Sequence, residues 1–215
     1  MTLRQMTLRQ MRLLGLAVSA PAFAMAMLLA SIHTPRYSHW RDTVSRLGSP
    51  GQPWAPFVRA AFIIYGLVVL VGAGAARSRH LRPETTPLLY TYAVAATVAG
   101  LAPKDLPGAR HTTTSTVHVV ATLVGGAAVI AAMVVTAVAT SSRAMRLMST
   151  VAALATITAA VAFRFTWGSR YYGAIERAVL VPALLWISGV AVAAWRQPTG
   201  GCRVGGWCGR GRRGW

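Results

Sequence analysis

Residues 112–142 read TTTSTVHVVATLVGGAAVIAAMVVTAVATSS, a long run without a single Asp, Glu, Lys or Arg. A helix of about 20 apolar residues crosses the roughly 30 Å hydrocarbon core of a bilayer. This run is longer than one span requires, so we expect its first residues, 112–115, to form a loop or a helix cap. The run therefore predicts a membrane-spanning α-helix.

Five further uncharged apolar runs lie on either side of it and are long enough, or nearly so, to span a bilayer. Many glycines and alanines lie within the six runs, and small residues let helix backbones approach closely in lipid. We therefore predict an all-α fold, an integral membrane bundle of about six transmembrane helices. The other five runs are 13–32, 60–76, 85–103, 147–163 and 178–195.

The chain divides into a basic N-terminal segment at 1–12, a six-helix transmembrane domain at 13–196, and a Gly/Arg-rich tail at 197–215 that we expect to be disordered. The opening pentapeptide is repeated, so translation could start at Met1, Met6 or Met11. Because the first apolar run is long enough to span, we interpret it as a retained helix rather than a signal peptide.

The composition excludes a soluble protein. Apolar residues make up 54% of the chain and charged residues 12%, about half the charged fraction of a soluble domain. The formal charge of +18 comes from 22 Lys and Arg against 4 Asp and Glu. These basic residues lie in short stretches between apolar runs, so we expect membrane lipids with anionic headgroups as partners and no nucleic acid.

The basic residues also indicate an orientation. If the N-terminus is cytoplasmic, the larger share of the Lys and Arg residues falls on the cytoplasmic side. The positive-inside rule then favours a multi-pass protein of the cell membrane with both termini in the cytoplasm. The oligomeric state is left open.

The few acidic residues are unevenly placed. Glu84 falls on the predicted cytoplasmic side, whereas Asp42, Asp105 and Glu176 fall one each in the three loops on the opposite side. A bundle could bring these loops together at one mouth, and ionisable residues near a membrane are candidates for function. The alternative is that they neutralise neighbouring arginines: Arg46 lies at i,i+4 from Asp42, and Arg177 follows Glu176.

Residues 38–48 predict a short helix that ends at Gly48. In such a helix Asp42, Ser45 and Arg46 share one face, and Trp40 suits the headgroup layer.

Two histidines follow Asp105 in the sequence. His111 and His118 are i,i+7, about 10 Å apart on one helix face, which is too wide for one metal ion. We therefore expect no metal and no cofactor. His118 lies a turn or more inside a span, where it needs a hydrogen-bonding partner, and a carboxyl group is the natural one.

Three motifs carry a resemblance to a known family. They are Asp-Thr-Val-Ser-Arg-Leu-Gly at 42–48 preceded by Ser38-His39, Pro-x-Asp at 103–105 with His111 or His118, and Gly-x-x-Glu-Arg at 173–177. Together they resemble the bacterial membrane family known as domain of unknown function 998. The resemblance implies a six-helix bundle with this polar cluster in common, and no agreed reaction.

The favoured function is an intramembrane enzyme that acts on a hydrophobic small molecule, a prenyl or isoprenoid lipid, by terpene-cyclase-like acid–base chemistry. A protonated carboxyl group can protonate an alkene, and aromatic faces stabilise the cation. The proton donor is left between Asp42 and Asp105, and we favour Asp42 because Trp40 could shield it from water. The candidate catalytic residues are Asp42, Asp105, Glu176, His118 and His111. The candidate substrate-binding residues are Trp40, Arg41, Ser45, Arg46, Arg177 and Tyr171.

Alternatives remain from other classes. The arginines could bind a phosphorylated headgroup for a hydrolase or transferase. The chain could also be a small transporter, or an accessory subunit without catalytic activity. A transporter typically shows repeated halves and a midplane site, and neither feature stands out here.

Overall fold

The computed structural model describes residues 6–76 and 82–196. They form six α-helices, with one short 3₁₀ helix between the first two, and no strand occurs in these two ranges. The all-α prediction is therefore confirmed. The tail at 197–215 lies outside the described residues, and its disorder stays a prediction. The helices are α1 Leu8–Ile32, α2 Ala55–Ala75, α3 Thr85–Leu101, α4 Thr113–Ala139, α5 Arg143–Phe165 and α6 Tyr172–Trp195, and the 3₁₀ helix is Val44–Gly48.

Hydroxyl side chains set the start of three helices. Thr7 and Gln10 form a reciprocal capping box at α1, Thr112 caps α4, and Ser142 caps α5. Each cap satisfies a main-chain N–H that has no partner within the helix. Of residues 112–115, which were predicted to form a loop or a cap, only Thr112 lies outside the helix, where it is the cap; residues 113–115 are already helical.

Four helices, α1, α2, α5 and α6, begin a turn or more before their apolar runs. The helix α5 begins at Arg143 and α6 at Tyr172, so a turn or more that contains charged residues precedes the apolar part of each. Main-chain hydrogen bonding continues a helix past the hydrocarbon boundary, where long basic side chains can reach water. Glu176, predicted to lie in a loop, is therefore inside the first turns of α6.

Five of the six helices are long and apolar enough to cross a membrane. The exception is α3, which has 17 residues and is about 25 Å long at 1.5 Å per residue. It packs between α2 and α4. The chain is thus a multi-pass membrane bundle.

The six helices form a closed ring in chain order. Each helix packs against its neighbours in sequence, and α6 returns to pack against α1. The predicted role of small residues is visible between α2 and α3, where a Cβ added at Gly66 would lie 2.8 Å from the main-chain nitrogen of Thr97. The helices α1 and α6 continue through Pro21 and Pro182.

The ring has two polar ends. The loop face carries the connections 33–54, 102–112 and 166–171. The terminal face carries the start of α1, the α2–α3 connection, the α4–α5 turn at 140–142 and the end of α6. The candidate residues lie at the loop face.

Candidate functional site at the loop face

The α1–α2 connection is docked on the first turn of α6. The main-chain N–H of Ala174 donates to the carbonyl oxygen of Trp40 at 3.0 Å. Gly173 faces the backbone of Asp42, and a Cβ there would lie 2.3 Å from the Asp42 carbonyl oxygen. Such an approach of two backbones leaves room only for glycine. We call this contact the docking junction.

Glu176 holds the docked segment from the α6 side. Its Oε2 accepts a hydrogen bond from the main-chain N–H of Val44, the first residue of the 3₁₀ helix. N–H groups in the first turn of a helix lack partners within the helix. The main-chain N–H of Ser45 also contributes to holding this carboxyl group. The cationic side chains of Lys104 and Arg177 lie near enough to act on it electrostatically, but neither forms a direct ion pair with it within the described part of the chain.

Arg177 binds main-chain carbonyl groups. Its Nη1 donates to the carbonyl oxygens of His39 at 2.8 Å, Asp42 at 3.0 Å and Gly173 at 2.8 Å, and its Nη2 donates to the hydroxyl of Tyr37. The alternative in which Arg177 pairs directly with Glu176 does not match the geometry, because the described residues contain no ion pair between these two side chains. The reason is that the docked segment offers several carbonyl groups, which a planar guanidinium with five N–H donors can bind together.

Tyr37 completes this cluster. Its hydroxyl lies 3.2 Å from the carbonyl oxygen of Asp42 and 3.1 Å from that of Thr43, so it donates toward both. Burial raises the pKa of Tyr37 to about 12 and outweighs the opposing charge of Arg177. Tyr37 therefore remains a neutral hydrogen-bond donor at physiological pH.

Both carboxylate oxygens of Asp42 have hydrogen-bonding or ion-pair partners. Its side chain is 4% exposed, with Oδ1 paired to Arg46 and 3.5 Å from Arg41 Nε, and its Oδ2 accepts from the N–H of Ser38 at 2.8 Å. The predicted Asp42–Arg46 pair is confirmed. The predicted shared helical face is wrong, because the 3₁₀ helix begins only at Val44 and the Ser45 hydroxyl donates to Thr43 Oγ1 at 3.2 Å.

Trp40 does not act as the shield of Asp42. It is 64% exposed, and its ring packs edge-to-face on Tyr171 with the centroids 6.2 Å apart. Asp42 is buried instead by the docking of its segment on α6. Trp40 and Tyr171 form an aromatic pair at the membrane boundary, where such side chains are common.

Asp105 belongs to a separate cluster at the start of α4. Its carboxylate accepts from the Thr112 N–H at 2.7 Å and from the Thr112 hydroxyl at 2.9 Å, and its own N–H donates to Ser115 Oγ at 3.2 Å. The hydrogen bond from the Thr112 N–H is the main reason that the pKa of Asp105 is lowered, with the Thr112 hydroxyl and the charge of His111 acting in the same direction. Asp105 is thus an ionised acceptor that closes the α3–α4 connection. His111 is exposed in that connection.

His118 is buried, and its partner differs from the one expected. Its Nδ1 lies 2.9 Å from the carbonyl oxygens of both Ala99 and Ala102 at the end of α3. Carbonyl oxygens only accept, so Nδ1 carries the proton. The prediction of a carboxyl partner is wrong, because carbonyl groups at the end of a helix lack partners within it and accept from the neighbouring helix instead.

Aromatic rings line the α6 surface next to Glu176. Tyr172 lies one helical turn before Glu176, stacks on Phe163 with the centroids 4.3 Å apart, and meets Trp167 edge-on at 5.2 Å. Lys104 Nζ lies 5.7 Å from the centre of the Trp167 ring. The α3–α4 connection therefore approaches the α5–α6 connection through Lys104, while the Asp105 carboxylate stays in its own cluster on Thr112. We call Phe163, Trp167 and Tyr172 the aromatic wall.

Residues 17–193 match the family described as "Protein of unknown function (DUF998)". The chain belongs to the DUF998 family. The match begins within α1 and ends within α6, so it includes α2 to α5 in full, most of α1 and α6, and both sides of the docking junction. No curated protein and no solved structure matches the chain.

In this DUF998 chain a cavity of about 590 Å³ lies away from the docking junction. It is an open groove between α3 and α4 on another side of the ring, and its lining is almost entirely apolar. Within the described ranges, no three His, Cys, Asp or Glu side chains come together as metal ligands would.

Four residues at this end of the bundle were not predicted from the sequence as members of the site: Tyr37, Lys104, Phe163 and Gly173. Gly173 opens the Gly-x-x-Glu-Arg motif, so its spacing from Glu176 was a usable signal. Tyr37, Lys104 and Phe163 carry no motif of their own, and only the packing of the loops brings them to this end of the DUF998 bundle.

Proposed function

We propose that this chain is an intramembrane enzyme that acts on a lipid-soluble prenyl or isoprenoid substrate by acid–base chemistry at the loop face. The single observation that carries the proposal is the environment of Glu176. Its carboxyl group is fixed through one oxygen by the Val44 N–H, has no ion-pair partner in the described chain, and stands one turn from Tyr172 in the aromatic wall.

The reaction requires a proton donor and an aromatic surface that contacts the carbocation. Glu176 gives its proton to one carbon of an alkene, the π electron pair forms the new C–H bond, and the other carbon becomes a cation. The faces of Tyr172 and Trp167 stabilise such a cation electrostatically. Loss of a proton from a neighbouring carbon to the carboxylate restores the acid and gives an isomer. Attack by a second alkene of the same molecule before that loss gives a ring.

This assignment moves the acid from Asp42 to Glu176. Asp42 uses both oxygens on Arg46 and Ser38, and Asp105 is held ionised by Thr112. We assign both to positioning, together with Ser45, Arg46, Arg177 and the two histidines of the α3–α4 side. Trp40, Arg41 and Tyr171 are exposed at the membrane boundary, where they would contact the polar end of the substrate.

A second candidate role is that of an accessory membrane subunit without catalysis. It is favoured by the fact that Arg177 and Glu176 each bind main-chain groups of the docked segment. A junction of this kind stabilises a surface whether or not chemistry occurs there.

The test compares lipid and terpenoid extracts by mass spectrometry from cells that express the wild type, Glu176→Gln or the matched control Glu84→Gln. Glu84 is exposed at the terminal face, far from the junction. We expect a new prenyl-lipid product with the wild type and the control, and its loss in Glu176→Gln at equal expression. Identical extracts from wild type and empty vector would overturn the enzyme proposal in favour of the accessory role.

A further inference from the structure

A second cavity lies at the terminal face, between the first two turns of α5 and the last two turns of α6. Its volume is about 350 Å³, within the range of small-molecule sites. It is separate from the docking junction, which lies at the opposite end of the same helices. Its lining includes Ser142, Met145, Met148, Gly189, Ala193 and Arg196.

The cavity changes from polar to apolar along its depth. Ser142 and Arg196 lie where α5 begins and α6 ends, at the polar boundary of the bundle. Met148 and Gly189 lie more than a turn further into the spans, and Ala193 lies between Gly189 and the end of α6. Gly189 allows the sulfur of Met148 to lie against α6, since a Cβ there would be 2.5 Å from that atom. A ligand that fits must therefore have a polar head and an apolar extension.

The charge at this face is strongly positive. In the described part of the chain it carries six arginines and one acid, Glu84, which lies at the start of α3 on another side of the ring. Two of the arginines hold helix ends: Arg9 Nη2 donates to the Ala194 carbonyl at 3.2 Å, and Arg146 Nη2 to the Thr140 carbonyl at 2.9 Å. Arg196 is exposed and lines the cavity, and Arg143 is exposed at the first position of α5, next in sequence to the lining residue Ser142.

The start of α5 adds to this charge. Ser142 caps the helix through the Met145 N–H, and the partial positive charge of a helix N-terminus favours an anion nearby. An anionic head at the cavity mouth would thus meet Arg196, Arg143 and the α5 dipole together.

We propose that this cavity binds an anionic phospholipid. Arg196, supported by Arg143 and Ser142, holds the phosphate, and the first part of an acyl chain lies over Met148, Gly189 and Ala193. Basic sites between helices at a membrane boundary are suited to such headgroups. Free phosphate would leave the apolar floor uncovered, so the lipid is the occupant to which the cavity is complementary. This proposal does not depend on the enzymatic role proposed above.

The test uses the full chain purified in a neutral detergent and titrated with phosphatidylglycerol or phosphatidylcholine, with bound lipid measured by native mass spectrometry. We expect the wild type to retain phosphatidylglycerol in preference. Arg196→Gln should weaken that binding about fivefold, the effect of one basic residue on an anionic lipid. Arg196→Lys should largely restore it, and Ala193→Leu, which fills the floor, should weaken it without a change of charge.

The matched control is Arg82→Gln, which removes the same charge from the same face at the α2–α3 connection. It should leave phosphatidylglycerol binding unchanged, and millimolar inorganic phosphate should not displace the lipid. Equal loss of binding in Arg82→Gln and Arg196→Gln would show a diffuse charge effect and overturn the site. Displacement by inorganic phosphate alone, or equal retention of phosphatidylcholine, would overturn the assignment of an anionic phospholipid.

Discussion

The main-chain N–H of Val44 donates to the Glu176 carboxylate across a separation of 132 positions in the chain. Arg177, the next residue, binds carbonyl groups of His39 and Asp42 in the same segment. The Glu176 carboxyl group accepts through Oε2 and a guanidinium can only donate, so this adjacent pair satisfies both kinds of main-chain group. Two of the motifs that resemble the DUF998 family are thus the two sides of one contact, and a change on either side should disturb the other.

The first prediction concerns Gly173. In Gly173→Ala the new Cβ would meet the carbonyl oxygen, carbon and nitrogen of Asp42 within 2.8 Å. Backbone cannot yield as a side chain does, so we expect a loss of about 1–3 kcal/mol in stability, measured as a lower Tm in detergent. The control is Gly126→Ala in α4, where a Cβ meets nothing within 4 Å and alanine favours the helix. Equal Tm values for the two variants would contradict the observed backbone contact.

The helices could be predicted from the sequence and the contacts of the charged side chains could not. Six apolar runs predict six helices because any apolar run of sufficient length can span the bilayer as a helix, whatever its neighbours are. The composition of each run is therefore enough for the prediction. Apolar composition did not predict the early starts of α5 and α6, since Arg143 and Glu176 are helical without being apolar. The partners of Arg177 and His118 are main-chain carbonyl groups of distant residues, and every residue carries such a group, so no sequence pattern marks which of them is near.

A second prediction concerns pH and His39. Burial, aided by the charge of Arg177, lowers the pKa of His39 below its ordinary value of 6.5. The unfolded chain therefore takes up this proton at a higher pH than the folded chain, and stability falls as the pH drops through about 6.5. In His39→Gln this loss is absent, so Tm should decrease less between pH 7.5 and 5.5 than in the wild type. Parallel pH profiles for the two proteins would contradict the proposed linkage.

A third prediction concerns orientation, which we propose from the distribution of basic residues. A reporter that is active only in the cytoplasm, fused after Arg196, should give a signal, and the same reporter inserted after Gly108 in the α3–α4 connection should be silent. Gly108 is an exposed residue at the loop face, so the insertion should leave the helices intact. The opposite pattern would place the docking junction in contact with cytoplasmic metabolites.

The last prediction separates chemistry from docking at Glu176. Glutamine retains an oxygen that can accept from the Val44 N–H and lacks the acidic proton, so Glu176→Gln should keep a Tm close to that of the wild type and lose the prenyl-lipid product. Asp42→Asn is the converse case, because it keeps an acceptor for the Ser38 N–H and removes the charge that pairs with Arg46. We expect it to lower the free energy of unfolding by about 1–3 kcal/mol and to reduce product only in proportion to the folded protein. Product formation and Tm, measured on the same membrane preparations, distinguish these two patterns. Full activity in Glu176→Gln would exclude Glu176 as the acid. If Glu176→Gln instead lowers Tm and product as much as Asp42→Asn does, the role of Glu176 is docking and not catalysis.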